Sequence, residues 1–114
     1  MKPILLVSLL FSTQLLLAQS SDGKIVVDNE MVRVYEFDSK PGKDVCGAGK
    51  HSHPAHLTVF LTDATITITT PDGKVSTKKF KAGNTIWSPS ETHMVVNGGS
   101  GETKCQLVEV KKKS

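Results

Sequence analysis

The sequence has few of the residues that would reveal a function directly. Only two cysteines, Cys46 and Cys105, occur in 114 residues, so the two cysteine pairs of a zinc ribbon are excluded. Aromatic residues make up 5% of the chain, too few to stack against nucleic-acid bases. The net charge is +3, and its densest basic run, Lys111 to Lys113, is typical of a solvated chain end. We therefore expect no nucleic-acid partner. No Ser-His-Asp arrangement and no phosphate-cradling glycine loop is visible either.

A sustained helical period is also missing, and short β-prone runs replace it. Residues 64–70 read Ala-Thr-Ile-Thr-Ile-Thr-Thr, a strict period of two that places Ile66 and Ile68 on one face of a strand. Pro71-Asp72-Gly73 predicts a turn that pairs this strand with the next one as a hairpin. In all, strands are predicted over residues 24–27, 31–37, 56–61, 64–70, 74–80, 85–88, 92–96 and 103–110.

About eight short strands with turn signals between them are typical of an antiparallel sandwich or barrel. A chain of this length best suits a double-sheet jelly roll. An immunoglobulin-like sandwich is the alternative. It is disfavoured because Trp87 lies close to the second cysteine, Cys105, whereas that fold needs a core tryptophan nearer the first.

The N-terminal residues have the pattern of a secretory signal. Lys2 supplies the positive charge, residues 4–10 and 15–17 are apolar, and Ala18-Gln19-Ser20 offers small residues for cleavage after Ala18 or Ser20. An uncleaved membrane anchor is disfavoured because the apolar stretch is short and interrupted. We therefore expect a signal over residues 1–20, a single domain over residues 21–114, and export to the periplasm or the medium with no membrane attachment after cleavage.

Export also bears on the two cysteines. An even number of cysteines in an exported protein permits a disulfide bond between Cys46 and Cys105. Two separate buried thiols are the alternative, because the sequence does not show whether the two Cα atoms come within reach of each other. Both hypotheses stay open at this point.

Histidines form the most unusual feature of the chain. Three of the four, His51, His53 and His56, lie within six residues, and the fourth is His93. In a strand, His51 and His53 point to the same face. Two imidazoles on one face, joined by a third from a neighbouring strand, are typical of a metal site. A surface histidine-rich turn beside the glycines of residues 47–49 is the alternative interpretation.

Two segments resemble the paired motifs of the cupin family. Residues 47–63 resemble the first motif, with a glycine, then His-x-His, then a turn. Residues 83–93, with Asn97 four residues beyond, resemble the second motif. The resemblance is to small single-domain cupins and covers about half of the chain beyond the signal. It implies an antiparallel double-stranded β-helix, the cupin jelly-roll barrel.

The resemblance also implies a metal ion held by two histidines of His-x-His, a glutamate, and the histidine of the second motif. His51, His53 and His93 match these positions, whereas the glutamate does not. Counted forward from His53, its position falls at Leu57, which cannot bind metal. Counted back from the turn at Asp63, it falls at His56. We expect His56 to replace the glutamate, because Pro54 breaks the strand and a bulge there turns His56 inward. The alternative is a site with three histidine ligands and water, with His56 outside it.

Four neutral imidazoles suit one divalent transition-metal ion, Zn, Fe, Ni or Cu, better than magnesium, calcium or manganese. Two functions stay open: a metal-dependent enzyme, such as a dioxygenase acting on a small organic molecule, and a non-catalytic metal-binding or ligand-binding module of the cell envelope. Glu91 is the candidate acid or base, although a solvated turn residue is its simpler interpretation. Glu36, Glu102 and Glu109 lie in or beside strands, where alternation could place them outside. Dimerisation is common in proteins that this chain resembles, so a homodimer is an expectation from analogy.

Overall fold

The computed structural model describes residues 23–111. These residues form nine strands. The predicted signal over residues 1–20 therefore lies outside the described residues. The described residues contain no helix that is long and apolar enough to cross a membrane. The strands are β1 (Lys24–Asp28), β2 (Val32–Ser39), β3 (His51–His53), β4 (His56–Phe60), β5 (Ala64–Thr69), β6 (Val75–Phe80), β7 (Thr85–Ser88), β8 (Glu91–Asn97) and β9 (Thr103–Val110).

The nine strands are divided between two antiparallel sheets, and the chain crosses from one sheet to the other several times. The five-stranded sheet has the order β1-β2-β9-β4-β7, and the four-stranded sheet has the order β3-β8-β5-β6. The predicted hairpin at Pro71-Asp72-Gly73 is confirmed, because β5 pairs with β6 from Ala64↔Phe80 to Thr69↔Val75. Strand β3 is the one strand that the sequence did not predict separately. It is only three residues long and ends just before Pro54.

The inner faces of the two sheets form the core. Alternate residues of β4 and β9 are paired and point inward, as shown by the partners Phe60↔Cys105 and Thr58↔Leu107. Phe60 also stacks on Phe80 of the opposite sheet, with ring centroids 4.4 Å apart and planes 8° from parallel. Burial of these apolar side chains supplies the main driving force for closing the two sheets on each other.

Asn97 is a buried polar residue that ties three segments together. Its Nδ2 donates to the carbonyl oxygens of Ser39 and Gly101, each at 2.9 Å. Its Oδ1 accepts from Gly99 N at 2.9 Å. Three partners satisfy the amide in a nearly solvent-free position, so the end of β8 is fixed firmly against β2 and the following loop. A rigid β8 matters because this strand also carries His93.

Both cysteines are free, buried thiols. Of the two hypotheses drawn from the sequence, the structure therefore matches separate thiols rather than a disulfide bond. Cys105 lies in the apolar core beside Phe60, where burial, with a smaller contribution from Asp38, raises the pKa of its thiol to about 12. Cys46 lies beside the histidines, and its surroundings are described next.

Candidate metal centre

Strands β3 and β8 bring three histidines together. The two strands pair with His51 opposite His93 and His53 opposite Glu91. His51 and His53 share a face because they are two residues apart. Their ring centroids lie 4.7 Å apart, and each lies close to the His93 ring, at 4.8 Å from His51 and 5.3 Å from His53. Three imidazoles from two strands therefore surround one point.

The loop before β3 adds a thiol to this group. Val45 N donates to Val95 O at 3.0 Å, which holds the loop beside β8 and places Cys46 next to His93. Gly47 follows with a φ of +151°, and a Cβ there would lie 3.0 Å from the His51 ring. Only glycine lets the loop pass this close to the imidazole without displacing it.

The distances among these donor atoms match those around a metal ion. Sγ of Cys46 lies 3.4 Å from His51 Nε2 and 3.6 Å from His93 Nε2. One ligand atom from each of Cys46, His51, His53 and His93 lies within 4.8 Å of all the others. A tetrahedral zinc ion with ordinary bond lengths places a sulfur and a nitrogen donor about 3.6 Å apart. The four side chains therefore lie close enough to share a metal ion, and binding would draw the more distant donor atoms inward.

Hydrogen bonds at Nδ1 orient the imidazoles. His51 Nδ1 lies 2.8 Å from Gly49 O, and His56 Nδ1 lies 2.8 Å from Pro54 O. A carbonyl oxygen only accepts, so each Nδ1 carries the proton and a neutral ring keeps its lone pair at Nε2. Metal-binding histidines in proteins are oriented in the same way.

His53 completes this pattern through a carboxylate. Its Nδ1 lies 3.2 Å from Glu109 Oε2, and both side chains are largely buried. Its Nε2 is buried and has no hydrogen-bond partner among the described residues. A buried nitrogen without a partner costs free energy unless something binds it. A metal ion at the point where the imidazoles meet would satisfy this atom.

Burial keeps His53 and His93 neutral. It lowers the pKa of His53 to about 3, with added repulsion from His51, His56 and His93. It also lowers the pKa of His93 to about 4, with smaller effects from His51 and His56. The His53–Glu109 contact is therefore a hydrogen bond from a neutral ring rather than an ion pair. Neutral imidazoles are the form that binds metal.

Burial has the opposite effect on the thiol. It raises the pKa of Cys46 far above the usual range for cysteine, and repulsion from Cys105, followed by Glu91 and Asp44, adds to this. The apolar surroundings alone thus favour the protonated, unreactive thiol. A coordinated metal ion reverses this preference, because its charge removes the proton outright.

His56 and Glu91 lie on the cavity side of the cluster. Pro54 and Ala55 interrupt the strand between β3 and β4. His56 follows them and is buried, with its side chain facing inward. Its ring centroid lies 4.8 Å from that of His53. Glu91 Oε2 lies 3.5 Å from His56 Nε2 and 3.5 Å from His93 Nδ1. Leu57 points to the opposite face of the sheet, where it pairs with Trp87.

A cavity of about 260 Å³ extends from this cluster into the barrel. Its mainly apolar wall includes Phe60, Ile66, Ile68, Phe80, Val95 and Leu107. Cys46, His56, Glu91 and His93 line one part of it. The volume is at the lower end of the range for small-molecule sites, so the cavity suits a small organic molecule beside the candidate metal position.

The sequence predicted His51, His53, His56 and His93 as metal ligands. The structure groups His51, His53 and His93 and adds Cys46; His56 is adjacent but outside the group of atoms within 4.8 Å. Whether His56 binds the ion stays a prediction. Cys46 was noticed but not expected to bind, because its position five residues before His-x-His on a glycine-rich loop becomes informative only once that loop is seen to pack against β8.

Glu109 points inward, although alternation could also have placed it outside. Glu109 is opposite His56 on β4 and shares the inward face with Leu107, so it reaches His53. Alternation alone could not decide this, because a charged residue in a strand is usually assigned to the solvent side. Desolvation raises the pKa of Glu109, and the neighbouring His56 and Arg33 partly oppose this.

Replacing Glu109 with glutamine should lower metal affinity roughly tenfold, because the carboxylate orients His53 and increases its basicity. The measurement is competition with a chromophoric chelator on the purified variant and parent. Glu102→Gln, in an exposed loop, is the matched control and should equal the parent. Equal affinities for Glu109→Gln and the parent would show that Glu109 does not support the site.

Comparisons with known proteins identify the fold. No protein-family model matches the chain, and no curated protein matches it either. A cupin domain from Bordetella pertussis is 26% identical, with a TM-score of 0.73 over 82% of this chain and 95% of that one. An RmlC-like cupin family protein from Methanocaldococcus jannaschii is 17% identical, with a TM-score of 0.63 over 81% of each chain.

A third similar structure is the polyketide cyclase RemF from Streptomyces resistomycificus. It is 21% identical, with a TM-score of 0.58 over 77% of this chain and 63% of that one. These similarities, with the two antiparallel sheets, confirm the predicted all-β cupin fold, a double-stranded β-helix, and remove the immunoglobulin-like alternative.

Proposed function

We propose that this protein binds one divalent transition-metal ion and brings it into contact with a small organic molecule inside the barrel. His51, His53, His93 and Cys46 would hold the ion, with His56 as a further donor on the cavity side. The supporting observation is the buried Nε2 of His53, which lacks a partner among the described residues although its Nδ1 is oriented by Glu109. Nitrogen and sulfur donors favour Zn, Fe, Ni or Cu.

A bound ion would supply Lewis-acid chemistry or a site for dioxygen. The protein's own residues would do the rest. The apolar wall would exclude water and hold the organic molecule against the cluster. Glu91 lines the cavity and lies next to both His56 and His93, so its carboxylate is placed to hold a proton beside the reacting molecule.

A metal-dependent enzyme, for example a dioxygenase, is the function we infer. Glu91 favours it, because a carboxylate beside the ion is placed to transfer protons during a reaction. RemF, a cyclase on the same fold, agrees with this by analogy only. The apolar character of the remaining wall favours the second candidate, a non-catalytic metal-binding or ligand-binding module of the cell envelope.

Elemental analysis and cobalt substitution test the proposal. Purified protein should carry about one zinc, iron, nickel or copper ion per chain. A chelator should remove it, and cobalt should replace it. Azide should then change the visible spectrum, because in an enzyme the ion must accept a further ligand beside its protein donors, whereas the closed four-donor site of a structural zinc does not. Absence of any retained metal would reject metal binding, and an azide-insensitive cobalt spectrum would favour the binding module.

We also propose that the protein is exported. The support is the charge and hydropathy pattern of residues 1–20 together with the small residues before Ser21. Protein expressed in its native host should begin near Gln19 or Ser21 when its N-terminus is sequenced. A chain that retains Met1 in the soluble cytosolic fraction would contradict export. A variant with Ala18 and Ser20 replaced by bulky residues should remain unprocessed and serves as the control.

A further inference from the structure

Lys78 is a charged residue on the inward face of a strand. It lies on β6 two residues before Phe80, and both side chains line the apolar cavity. Neighbouring Lys79 points the other way, because side chains alternate along a strand. No carboxylate among the described residues forms a salt bridge with Lys78; those bridges involve Arg33, Lys104, Lys111 and the histidines. The ammonium group therefore has no carboxylate within salt-bridge distance among them.

Register places Lys78 and the metal cluster at different levels of the barrel. Lys78 is opposite Ile66 on β5, and Ile66 is opposite Asn97 on β8. His93 precedes Asn97 by four residues on the same strand, a separation of about 13 Å. The cavity is lined by both Lys78 and His93. It thus joins a cation at one end to the candidate metal position at the other.

The cavity is accessible from the side of Lys78. Strand β6 is the edge of the four-stranded sheet, and β7 is the edge of the five-stranded sheet. Lys78 of β6 and Ile86 of β7 are both exposed while lining the cavity. A molecule entering between these edges meets the ammonium group first and the apolar wall next.

We propose that the cavity binds a small organic carboxylate whose anionic group pairs with Lys78 and whose apolar body points toward the cluster. The ammonium group is a single point charge and so matches a monoanion. The apolar side chains of the wall match a hydrocarbon or aromatic body. The volume of about 260 Å³ limits that body to a small molecule. The idea that the ligand approaches a metal ion rests on the function proposed above, whereas the pairing with Lys78 does not.

Edge protection is the competing role for Lys78. An inward-pointing lysine on an edge strand discourages pairing with another chain. That role requires no ligand and predicts aggregation, rather than a change in ligand preference, when the charge is removed. The two roles therefore differ in a measurable way.

The test compares 3-phenylpropanoate with its neutral amide, 3-phenylpropanamide, by calorimetry on the intact protein. The parent should bind the acid roughly tenfold more tightly, as expected for a charged hydrogen bond. Lys78→Gln should remove this preference while retaining affinity for the amide. Lys79→Gln, on the outer face, is the matched control and should keep the preference. Lys78→Arg should keep it too, which covers the case in which the glutamine variant fails to fold.

Three outcomes would overturn the proposal: equal binding of acid and amide by the parent, equal losses in Lys78→Gln and Lys79→Gln, or no binding of either probe. Aggregation of Lys78→Gln with the acid preference missing in Lys78→Arg would also count against it. Running every titration on metal-free and metal-loaded protein separates the two proposals. A protein that retains no metal but prefers the acid through Lys78 refutes the metal function and supports this inference.

Discussion

Replacing His53 with alanine is expected to abolish stoichiometric metal binding. His53 contributes the buried Nε2 that lacks a partner, and it is the only histidine of the cluster hydrogen-bonded to Glu109. Loss of a directly coordinating nitrogen should weaken affinity by more than the roughly 10–100-fold typical of outer-shell changes. Elemental analysis after gel filtration should find about one ion per chain in the parent and almost none in His53→Ala.

The same variant gives a second readout through thermal stability. An ion that binds only the folded protein stabilises it by about 2.7 kcal/mol at a concentration 100 times Kd. For a domain of this size that corresponds to a rise in Tm of roughly 10–20 °C. The parent should show this rise on adding metal, and His53→Ala should not. Comparing each protein with and without metal removes the direct cost of deleting a buried side chain.

Ser52→Ala is the matched control for this experiment. Ser52 lies between His51 and His53 on the outward face of β3, where its hydroxyl contacts Thr92. Its removal should leave both the metal content and the metal-dependent rise in Tm unchanged. A parent protein whose Tm does not respond to zinc, iron, nickel or copper would show that the cluster is not a metal site.

Local patterns explain how much of the fold could be predicted. Alternation in residues 64–70 depends only on which face of a strand is buried, so it identified β5 and its hairpin correctly. Strand β3 was harder, because a three-residue strand contains too little alternation to be recognised. Its pairing with β8 comes from tertiary contacts, namely the opposition of His51 and His93.

In the candidate site, too, local sequence patterns predicted some residues, and others depend on tertiary contacts. Clustering of histidines in the sequence singled out His51 and His53, and the resemblance to the second cupin motif added His93. Cys46 and Glu109 were not assigned because their positions depend on how distant segments pack. A loop held to Val95 brings Cys46 inward, and the pairing of β9 with β4 brings Glu109 inside. Neither effect follows from residue spacing alone.

His56 is where the family pattern and the geometry point in different directions. The hydrogen bond to Pro54 O fixes the proton on Nδ1, so a neutral ring presents a lone pair at Nε2. That lone pair lies 3.5 Å from the carboxylate of Glu91. Two acceptors at this distance repel each other unless a proton or a metal ion lies between them. An ion displaced toward the cavity would satisfy His56 as well as the cluster.

We therefore expect His56→Ala to lower metal retention about as much as His51→Ala, despite the position of His56 outside the tightest group of donors. The measurement is the chelator concentration that removes half of the metal. Cys46→Ser is the companion variant, and it should remove the sulfur-to-metal charge-transfer band of the cobalt-substituted protein. His56→Ala should keep that band in whatever cobalt it retains. If His56→Ala holds metal as firmly as the parent while Cys46→Ser does not, the ligands are three histidines and one cysteine, and His56 serves the cavity instead.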